Sequence, residues 1–142
     1  MSTLLLRLAG PLQAWGNDSK FETRRTGREP SKSGVIGLLA AALGKKRDAP
    51  LEDLNCLHFG VRIDKEGELL HDYHTVQLKT GKTYVTHRYY LSDATFLVGI
   101  ESEDDVWLET LRQALLNPAF PLFLGRRSCV PTLPMVLGIR SA

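Results

Sequence analysis

The sequence lacks the patterns that most directly indicate an enzyme, a metal centre or a membrane protein. Its two cysteines, Cys56 and Cys129, stand far apart without CxxC spacing, so neither a zinc site nor a redox pair is indicated and a reducing cytoplasm is the expected location. The N-terminal apolar run is short and is interrupted by Arg7, which makes it unsuitable as a secretion signal or a bilayer-spanning helix. No glycine-rich phosphate loop is present. We therefore expect a cytoplasmic protein without membrane contact, metal or cofactor.

A strong charge of one sign is also missing, because the formal net charge is only +2. The distribution of charge is more informative than the total. Residues 1–50 hold nine lysines and arginines against four acidic residues, whereas 51–100 hold five against seven and 101–142 hold four against five. A surface for an acidic partner would therefore lie mainly on the first third. The 142 residues, 43% of them hydrophobic, suffice for one domain spanning 1–142.

Apolar patterning predicts an α+β domain. A helix after the start signal Pro30–Ser33 should end at Gly44, and a second should open at Ser102 and stop at Pro118. The first strand is expected to be buried on both faces, and glycine turns at Lys65–Glu68 and Lys79–Val85 predict two hairpins. The predicted strands are Thr3–Ala9, His58–Asp64, Leu69–Leu78, Ala94–Ile100 and Pro121–Leu124, with a last apolar run at Met135–Ile139. This order predicts a ferredoxin-like antiparallel sheet with two helices on one face and a protruding β-hairpin.

A long polar stretch from Gly10 to Gly34 separates the first strand from the first helix. Such a loop inside a small domain is usually functional. Its cations and aromatic residues are Arg24, Arg25, Arg28 and Lys32 with Trp15 and Phe21. Cations interleaved with aromatic rings suit a phosphate backbone with exposed bases, although an ordinary solvated loop would have a similar composition.

Two further basic groups lie on predicted turns. The hairpin carries Lys79, Lys82 and Arg88 with Tyr84, Tyr89 and Tyr90, and the segment after the predicted strand Pro121–Leu124 carries Arg126, Arg127 and Ser128. In a ferredoxin-like fold these groups can converge on one side of the sheet. Three basic groups on separate loops favour RNA binding over ordinary surface charge.

Histidines near the hairpin leave a catalytic alternative open. His71 and His74 are three residues apart, so on a strand they point to opposite faces and cannot easily share a metal ion. A histidine hydrogen-bonded at the base of a hairpin is the simpler interpretation of His74. A metal-independent endoribonuclease remains chemically possible, with histidine as acid or base and lysine stabilising the transition state. Its candidate residues are Tyr73, His74, His87, Lys79 and Lys82.

Four motifs, in this order along almost the whole chain, resemble the Cas-five family of the RAMP superfamily, as found in the type I-E CRISPR Cascade complex. They are Leu6–Gly16 (LRLAGPLQAWG), Arg25–Gly34 (RTGREPSKSG), Asp72–Val76 (DYHTV) and Leu124–Cys129 (LGRRSC). The resemblance implies a RAMP-type ferredoxin-like domain whose β-hairpin thumb, here at about 77–88, holds the 5′ handle of the CRISPR RNA in antiviral defence.

The resemblance also implies partners and site residues. The partners would be the backbone and large subunits of the complex, with target DNA reached only indirectly through that complex. No catalysis is implied, because a separate subunit cuts the precursor in type I-E systems, whereas in the type I-C branch this subunit processes the precursor itself. The expected RNA-binding residues are Arg24, Arg25, Arg28, Lys32, Ser33, Lys79, Lys82, Arg88, Tyr89, Arg126, Arg127 and Ser128.

Overall fold

The residues that the structure describes fold into two β-sheets and three helices. The computed structural model describes residues 1–15, 23–24, 27–46 and 48–141, and at positions 23, 24, 74, 76 and 84 it describes the backbone alone. Within these residues the helices are α1 (Lys32–Leu43), α2 (Glu52–Asn55) and α3 (Asp105–Leu116). The strands are β1 (Ser2–Ala9), β2 (Leu12–Gln13), β3 (Thr23–Arg24), β4 (His58–Lys65), β5 (Glu68–Gln77), β6 (Thr83–Ser92), β7 (Thr95–Ser102) and β8 (Val136–Ser141).

The first sheet has the strand order β4-β7-β1-β8, and all neighbours in it are antiparallel. When these four strands are numbered 1 to 4 in chain order, their order across the sheet is 2-3-1-4, which is that of a ferredoxin-like domain. Helix α1 follows the first of these strands and α3 follows the third. Both helices pack on the same sheet face, where their apolar residues join one core with the alternating leucines of β1. The predicted α+β, ferredoxin-like fold is confirmed.

Strand β1 is central, yet only one of its faces is fully buried. Leu4, Leu6 and Leu8 are fully buried, whereas Thr3 and Arg7 on the other face are half-exposed. The prediction of burial on both faces is therefore wrong. Both helices lie on the same side of the sheet, so the face of β1 that carries Thr3 and Arg7 is left without a helix over it.

The fourth strand of this sheet lies later in the chain than predicted. Residues Pro121–Leu124 form no strand, and the edge strand is β8, within and just after the last apolar run. The backbone of Leu124 makes loop hydrogen bonds and does not pair with a neighbouring strand. Its N–H donates to Cys129 O at 2.7 Å and its carbonyl accepts from Ala14 N at 3.1 Å. The basic segment after Leu124 is therefore a loop that precedes the last strand.

The second sheet is built around β6. Strand β6 pairs with β5 and β2 in antiparallel fashion and with β3 in parallel fashion. Strands β5 and β6 form a long ribbon from the pair Glu68–Ser92 to the pair Gln77–Thr83. Its distal turn, Leu78–Lys82, contains Gly81 at φ +83°. The predicted thumb bounds, 77–88, cover the distal part of this ribbon.

The turn at Lys65–Glu68 does not make a hairpin. Strand β4 before it pairs with β7, and strand β5 after it pairs with β6, so the chain passes from one sheet to the other here. Gly67 has φ +73°, and a side chain there would meet Ala94 and the carbonyl of Ser92 at 2.7 Å. The glycine signal was correct for a turn but could not report which strands would pair.

The helix ends follow the capping signals closely. Ser31 caps α1, its Oγ accepting from Gly34 N at 3.1 Å, and Gly44 ends the helix in the left-handed conformation. The N-cap of α3 is Asp104, two residues after the predicted Ser102, because its carboxylate accepts from Trp107 N at 3.1 Å, and the helix begins at Asp105. No helix among the described residues is long and apolar enough to cross a membrane.

Candidate nucleic-acid interface

The start of the long polar stretch is fixed to the protein core through Trp15. Its side chain is 1% exposed, and its indole Nε1 donates to Gln13 Oε1 at 3.0 Å. The Gln13 amide in turn donates to the carbonyls of Leu8 at 3.1 Å and Ala94 at 2.9 Å. Trp15 was grouped with the cations of the loop as a base-stacking residue. Because Trp15 is buried, it is not available to stack on a base, and it lies beneath the surface as a packing residue.

Three separated segments of the chain meet at Trp15. The N–H of Gly27 donates to the Trp15 carbonyl. Gly34, in the first turn of α1, lies so close to the indole that a Cβ there would stand 2.6 Å from the ring. Gly125 has φ +88°, and a Cβ on it would lie 1.6 Å from the carbonyl of Ala14. Glycine is therefore required at 125 on both conformational and steric grounds, and the approach brings the 125–128 loop next to the start of α1.

The loop from Leu124 to Cys129 is closed by its own backbone. Leu124 N donates to Cys129 O at 2.7 Å, and Cys129 N donates to Arg126 O at 2.9 Å. This leaves Arg127 and Ser128 exposed at the tip. Cys129 is fully buried, and burial raises the pKa of its thiol, against smaller opposing effects of neighbouring hydrogen bonds. A buried neutral thiol is a structural residue and not a nucleophile.

Arg126 ties this loop to strand β6. Its Nη1 donates to the Tyr89 carbonyl at 3.0 Å, and its guanidinium carbon lies 5.1 Å from the centroid of the Tyr90 ring. Strand β6 pairs with β3 up to Arg88 and with β2 from Leu91, so the Tyr89 carbonyl falls in the gap between the two partner strands. The guanidinium fills that gap, which makes Arg126 a positioning residue for the exposed tip of its loop.

The other predicted cations of the first third are placed differently from one another. Arg28 and Ser33 are exposed and lie within one residue of Gly27 and Gly34, the two glycines that contact Trp15. The Lys32 ammonium instead donates to the carbonyl of Asn55 at 3.1 Å, at the end of α2. Arg25 lies outside the described part of the chain, and at Arg24 only the backbone is described.

The hairpin cations stand apart from this cluster. Lys79 and Lys82 lie in the distal turn, beyond the last strand pair at Thr83. Six residues separate Thr83 from Tyr89, where Arg126 is anchored, which corresponds to about 20 Å along a strand. The structure therefore brings Gly27, Gly34 and Gly125, which lie near Arg28, Ser33 and Arg127 in sequence, to Trp15 and its neighbour Ala14. It sets the two lysines at a distance, so only a ligand that follows the ribbon would meet both groups.

Arg88 lies on the inner face of the ribbon. Its neighbours on that face, Thr86 and Tyr90, are each 5% exposed, which identifies this face as the one turned toward the body of the protein. Arg88 is half-buried and its Nε has no hydrogen-bond partner among the described residues. Its assignment as an RNA-binding residue remains a prediction.

The outer face of the ribbon carries four aromatic rings that we call the ring platform: His71, Tyr73, His87 and Tyr89. His71 stands opposite Tyr89, and Tyr73 stands opposite His87. The His71 and Tyr89 rings are nearly parallel, 6° apart with centroids at 4.5 Å, and the other ring contacts lie between 4.4 and 5.1 Å. His71 Nε2 and His87 Nδ1 share a hydrogen bond of 2.9 Å. The histidine and tyrosine faces are thus held in one packed array.

Three members of the ring platform were not predicted to bind RNA, although a signal for it is present. The two arms of the ribbon carry the same His-x-Tyr spacing, at 71–73 and at 87–89. Alternate residues of a strand share a face. With a turn centred near residue 80, the two pairs necessarily face each other, so locating the turn would have revealed the cluster.

Metal binding has little support in this region. In the backbone register of β5, His71 pairs with Tyr89 and His74 with Thr86. Across the described residues no group of three histidine, cysteine or acidic side chains is close enough to hold a metal ion. We therefore consider the ring platform as an aromatic surface for stacking and not as a set of nitrogen ligands for a metal ion.

A family model and a known relative both assign this sequence to the same protein family. The family model described as CRISPR-associated protein (Cas_Cas5) matches residues 3–142. The chain is 41% identical over 158 aligned positions to the CRISPR system Cascade subunit CasD of Escherichia coli (strain K12), a match that covers 96% of this chain and 70% of that relative.

Two solved structures extend this likeness to three dimensions. A chain of a CRISPR RNA-guided surveillance complex has 40% identity and a TM-score of 0.87 over 99% of this chain and 64% of its own length. A crystal structure of a Cas protein has 49% identity and a TM-score of 0.80 over 99% of this chain and 66% of its own length. The present chain thus spans about two thirds of the length of these solved chains.

Proposed function

The chain belongs to the CRISPR-associated Cas5 family, and from that premise we propose that it is a non-catalytic RNA-binding subunit of a type I-E Cascade complex. In this proposal it holds the 5′ handle of the CRISPR RNA for antiviral defence in the cytoplasm. Its partners are the backbone and large subunits of the complex, and target DNA is reached only through that complex. The similarity to CasD, whose name assigns it to Cascade, supports this assignment.

The proposal rests on one observation, namely that three segments of the chain meet at Trp15 through close contacts of Gly27, Gly34 and Gly125. Each segment carries an exposed polar or cationic residue within three positions of its glycine: Arg28 after Gly27, Ser33 before Gly34, and Arg127 with Ser128 after Gly125. Arginine forks, hydroxyl groups and backbone amides are the groups that bind phosphate oxygens. A rigid framework of Trp15 and its buried hydrogen bonds would hold them in register with a sugar–phosphate backbone.

The geometry of the histidines favours a non-catalytic role. Acid–base cleavage of RNA needs one group to take the proton of the attacking hydroxyl and another to protonate the leaving oxygen. His71 and His87 are hydrogen-bonded directly to each other at 2.9 Å, which leaves no space for a phosphate between them. Lys79 and Lys82, the proposed stabilisers of charge in the catalytic alternative, lie beyond the far end of the ribbon from Tyr89.

One purification separates the binding function from the catalytic alternative. The full chain carrying an affinity tag is co-expressed with the other subunits of its Cascade operon and a CRISPR array, and the co-purifying RNA is sequenced. We expect short CRISPR RNAs that share one 5′ end. The same chain, purified alone and incubated with repeat RNA, should leave the RNA intact with or without Mg²⁺.

Two results would overturn the proposal in different ways. Recovery of the protein subunits without CRISPR RNA would make the chain an assembly subunit. Site-specific cutting of the repeat RNA by the purified chain, abolished in His87→Ala, would make it the processing endoribonuclease. Leu69→Ala serves as the matched control, because Leu69 is an exposed residue of the same ribbon outside the ring platform.

A further inference from the structure

The ring platform is an aromatic surface that is exposed on β5, at His71 and Tyr73, and half-buried on β6, at His87 and Tyr89. Tyr73 is 63% exposed, while the opposite face of the ribbon turns Tyr90 and Thr86 toward the body. A core cluster would be buried throughout, whereas here the two rings of β5 are exposed and leave apolar ring surface in contact with water. Such a surface indicates a binding site for a flat, apolar ligand.

We propose that the ring platform stacks one or two unpaired nucleobases of a single-stranded RNA segment. This rests on the RNA-binding function proposed above and adds to it a specific site and a specific contact. Stacking on histidine and tyrosine rings is a common way to hold unpaired bases, and it tolerates different bases because each has a π-face.

The arrangement of the rings suits a ligand that binds by its faces. His71 lies at the centre, in contact with the other three rings. The hydrogen bond between His71 and His87 occupies ring edges, and the stacking of His71 on Tyr89 occupies one face of each of these two rings. Strand pairing and this hydrogen bond fix the rings before a ligand arrives, which lowers the entropy lost on binding. Tyr73, the most exposed of the four, is where an added base would extend the stack.

Charges at both ends of the ribbon favour a nucleic acid over a protein as the occupant. Arg126 ties its loop to the Tyr89 carbonyl, which sets the exposed Arg127 near one end of the ring platform. Lys79 and Lys82 lie at the other end, and no acidic residue occurs between 77 and 90. Cations for the phosphates on both sides of an aromatic surface for the bases form the pattern of single-strand binding sites.

The test separates bases from backbone. Wild-type chain and Tyr73→Ala are titrated with a fluorescein-labelled twelve-nucleotide oligoriboadenylate and with an abasic analogue that keeps the ribose–phosphate backbone. Tyr73→Ala should weaken binding of the oligoadenylate by about 5- to 140-fold, the loss typical of one stacked base. Binding of the abasic analogue and the salt dependence of both should not change. A 2-aminopurine placed in the oligoadenylate should be quenched by the wild type and less so by the variant.

Matched variants keep the result interpretable. Tyr73→Phe keeps the ring and should restore both affinity and quenching, whereas Leu69→Ala, at an exposed position on the same face of β5, should change neither. These two variants would remain informative even if Tyr73→Ala lowered the melting temperature.

Each other outcome has a distinct meaning. If the wild type binds neither oligonucleotide, the RNA-binding function itself is refuted. If the wild type binds the oligoadenylate and Tyr73→Ala binds it equally well, only the stacking site is refuted. Equal losses on both oligonucleotides would assign the ring platform to the RNA backbone or to the fold. Unchanged RNA binding together with failed assembly of the complex would make it a protein interface.

Discussion

At the scale of single residues, Gly125 is the position where the candidate interface depends most directly on backbone geometry. Gly125→Ala would combine a positive φ, costing about 1 to 2 kcal/mol, with a steric clash costing about 1 to 3 kcal/mol. Its Cβ would stand 1.6 Å from the carbonyl of Ala14. We expect a loss of about 2 to 5 kcal/mol of unfolding free energy, measured by chemical denaturation.

Gly81 supplies the control for that variant. It also has a positive φ, +83°, but a Cβ there would meet no atom within 4 Å. Gly81→Ala should therefore show the conformational cost alone, about 1 to 2 kcal/mol. Equal losses in the two variants would mean that the approach of the 125–128 loop to Ala14 contributes nothing to stability.

Arg126 and Arg127 are adjacent in sequence but have different surroundings. Arg126→Ala removes a charged donor from the Tyr89 carbonyl and should cost about 1 to 3 kcal/mol of stability. Arg127→Ala changes an exposed side chain, so its effect on stability should stay within about 0.5 kcal/mol. If Arg127 contacts a phosphate of single-stranded RNA, its removal should lower the slope of log K against log salt by about 0.7.

Thermal melting and RNA titrations at several salt concentrations measure both effects. Arg112→Ala, on the exposed side of α3 where the guanidinium pairs with Glu109 at 2.9 Å, is a charge-matched control that should leave RNA binding unchanged. An unaltered salt slope in Arg127→Ala would mean that this residue faces a protein neighbour or solvent.

At the scale of elements, the sequence predicted well those features that depend on local chemistry. The caps of α1, with Ser31 at the start and Gly44 at the end, involve residues only a few positions apart, and they were confirmed. Such features need no knowledge of the rest of the fold.

The predictions failed where the outcome depends on distant partners. Pro121–Leu124 is as apolar as a strand, but Leu124 bonds to Cys129 and Ala14 instead of a ladder. The turn after β4 leads to another sheet, since β4 pairs with β7 whereas β5 pairs with β6. The burial of Trp15 likewise depends on Gln13 and on glycines far along the chain. Composition revealed a cationic loop but not the residue that supports it.

The distal half of the ribbon is an element that adds little to the core. Exposed side chains there include Thr75, Gln77, Leu78 and Val85. Replacing residues 75–85 by an Asn-Gly turn, which joins the paired positions 74 and 86, should therefore change the melting temperature of the chain by no more than about 3 °C. The same change removes Lys79 and Lys82, and we expect it to impair recovery of RNA-loaded complex.

Parallel measurement of melting and of complex recovery tests both halves of this prediction. The matched control keeps the full ribbon and replaces only Lys79 and Lys82 by serine, which distinguishes the charge of the turn from its length. A large loss of melting temperature in the shortened chain would show that the distal ribbon belongs to the fold. Normal recovery of the complex would show that it is not the thumb.

At the scale of the whole molecule, the two sheets should differ in local stability. Strand β1 is paired on both sides, with β7 and with β8, and its inward leucines are fully buried. Strand β5 is paired only with β6 and forms an edge among the described residues. Amides whose opening requires loss of the core exchange slowly, whereas those of an exposed two-stranded ribbon exchange through local opening.

Hydrogen exchange followed by mass spectrometry would reveal this difference and its link to RNA. In the free chain we expect the slowest exchange in Ser2–Ala9 and much faster exchange in Glu68–Lys82. Adding single-stranded RNA should slow exchange in the ribbon selectively, because a ligand that binds only the closed ribbon lowers the population of its open states. Exchange in β1 should hardly change, since its opening is already rare. Uniform slowing across both sheets would mean that RNA stabilises the molecule as one unit, and no slowing in the ribbon would place the RNA elsewhere.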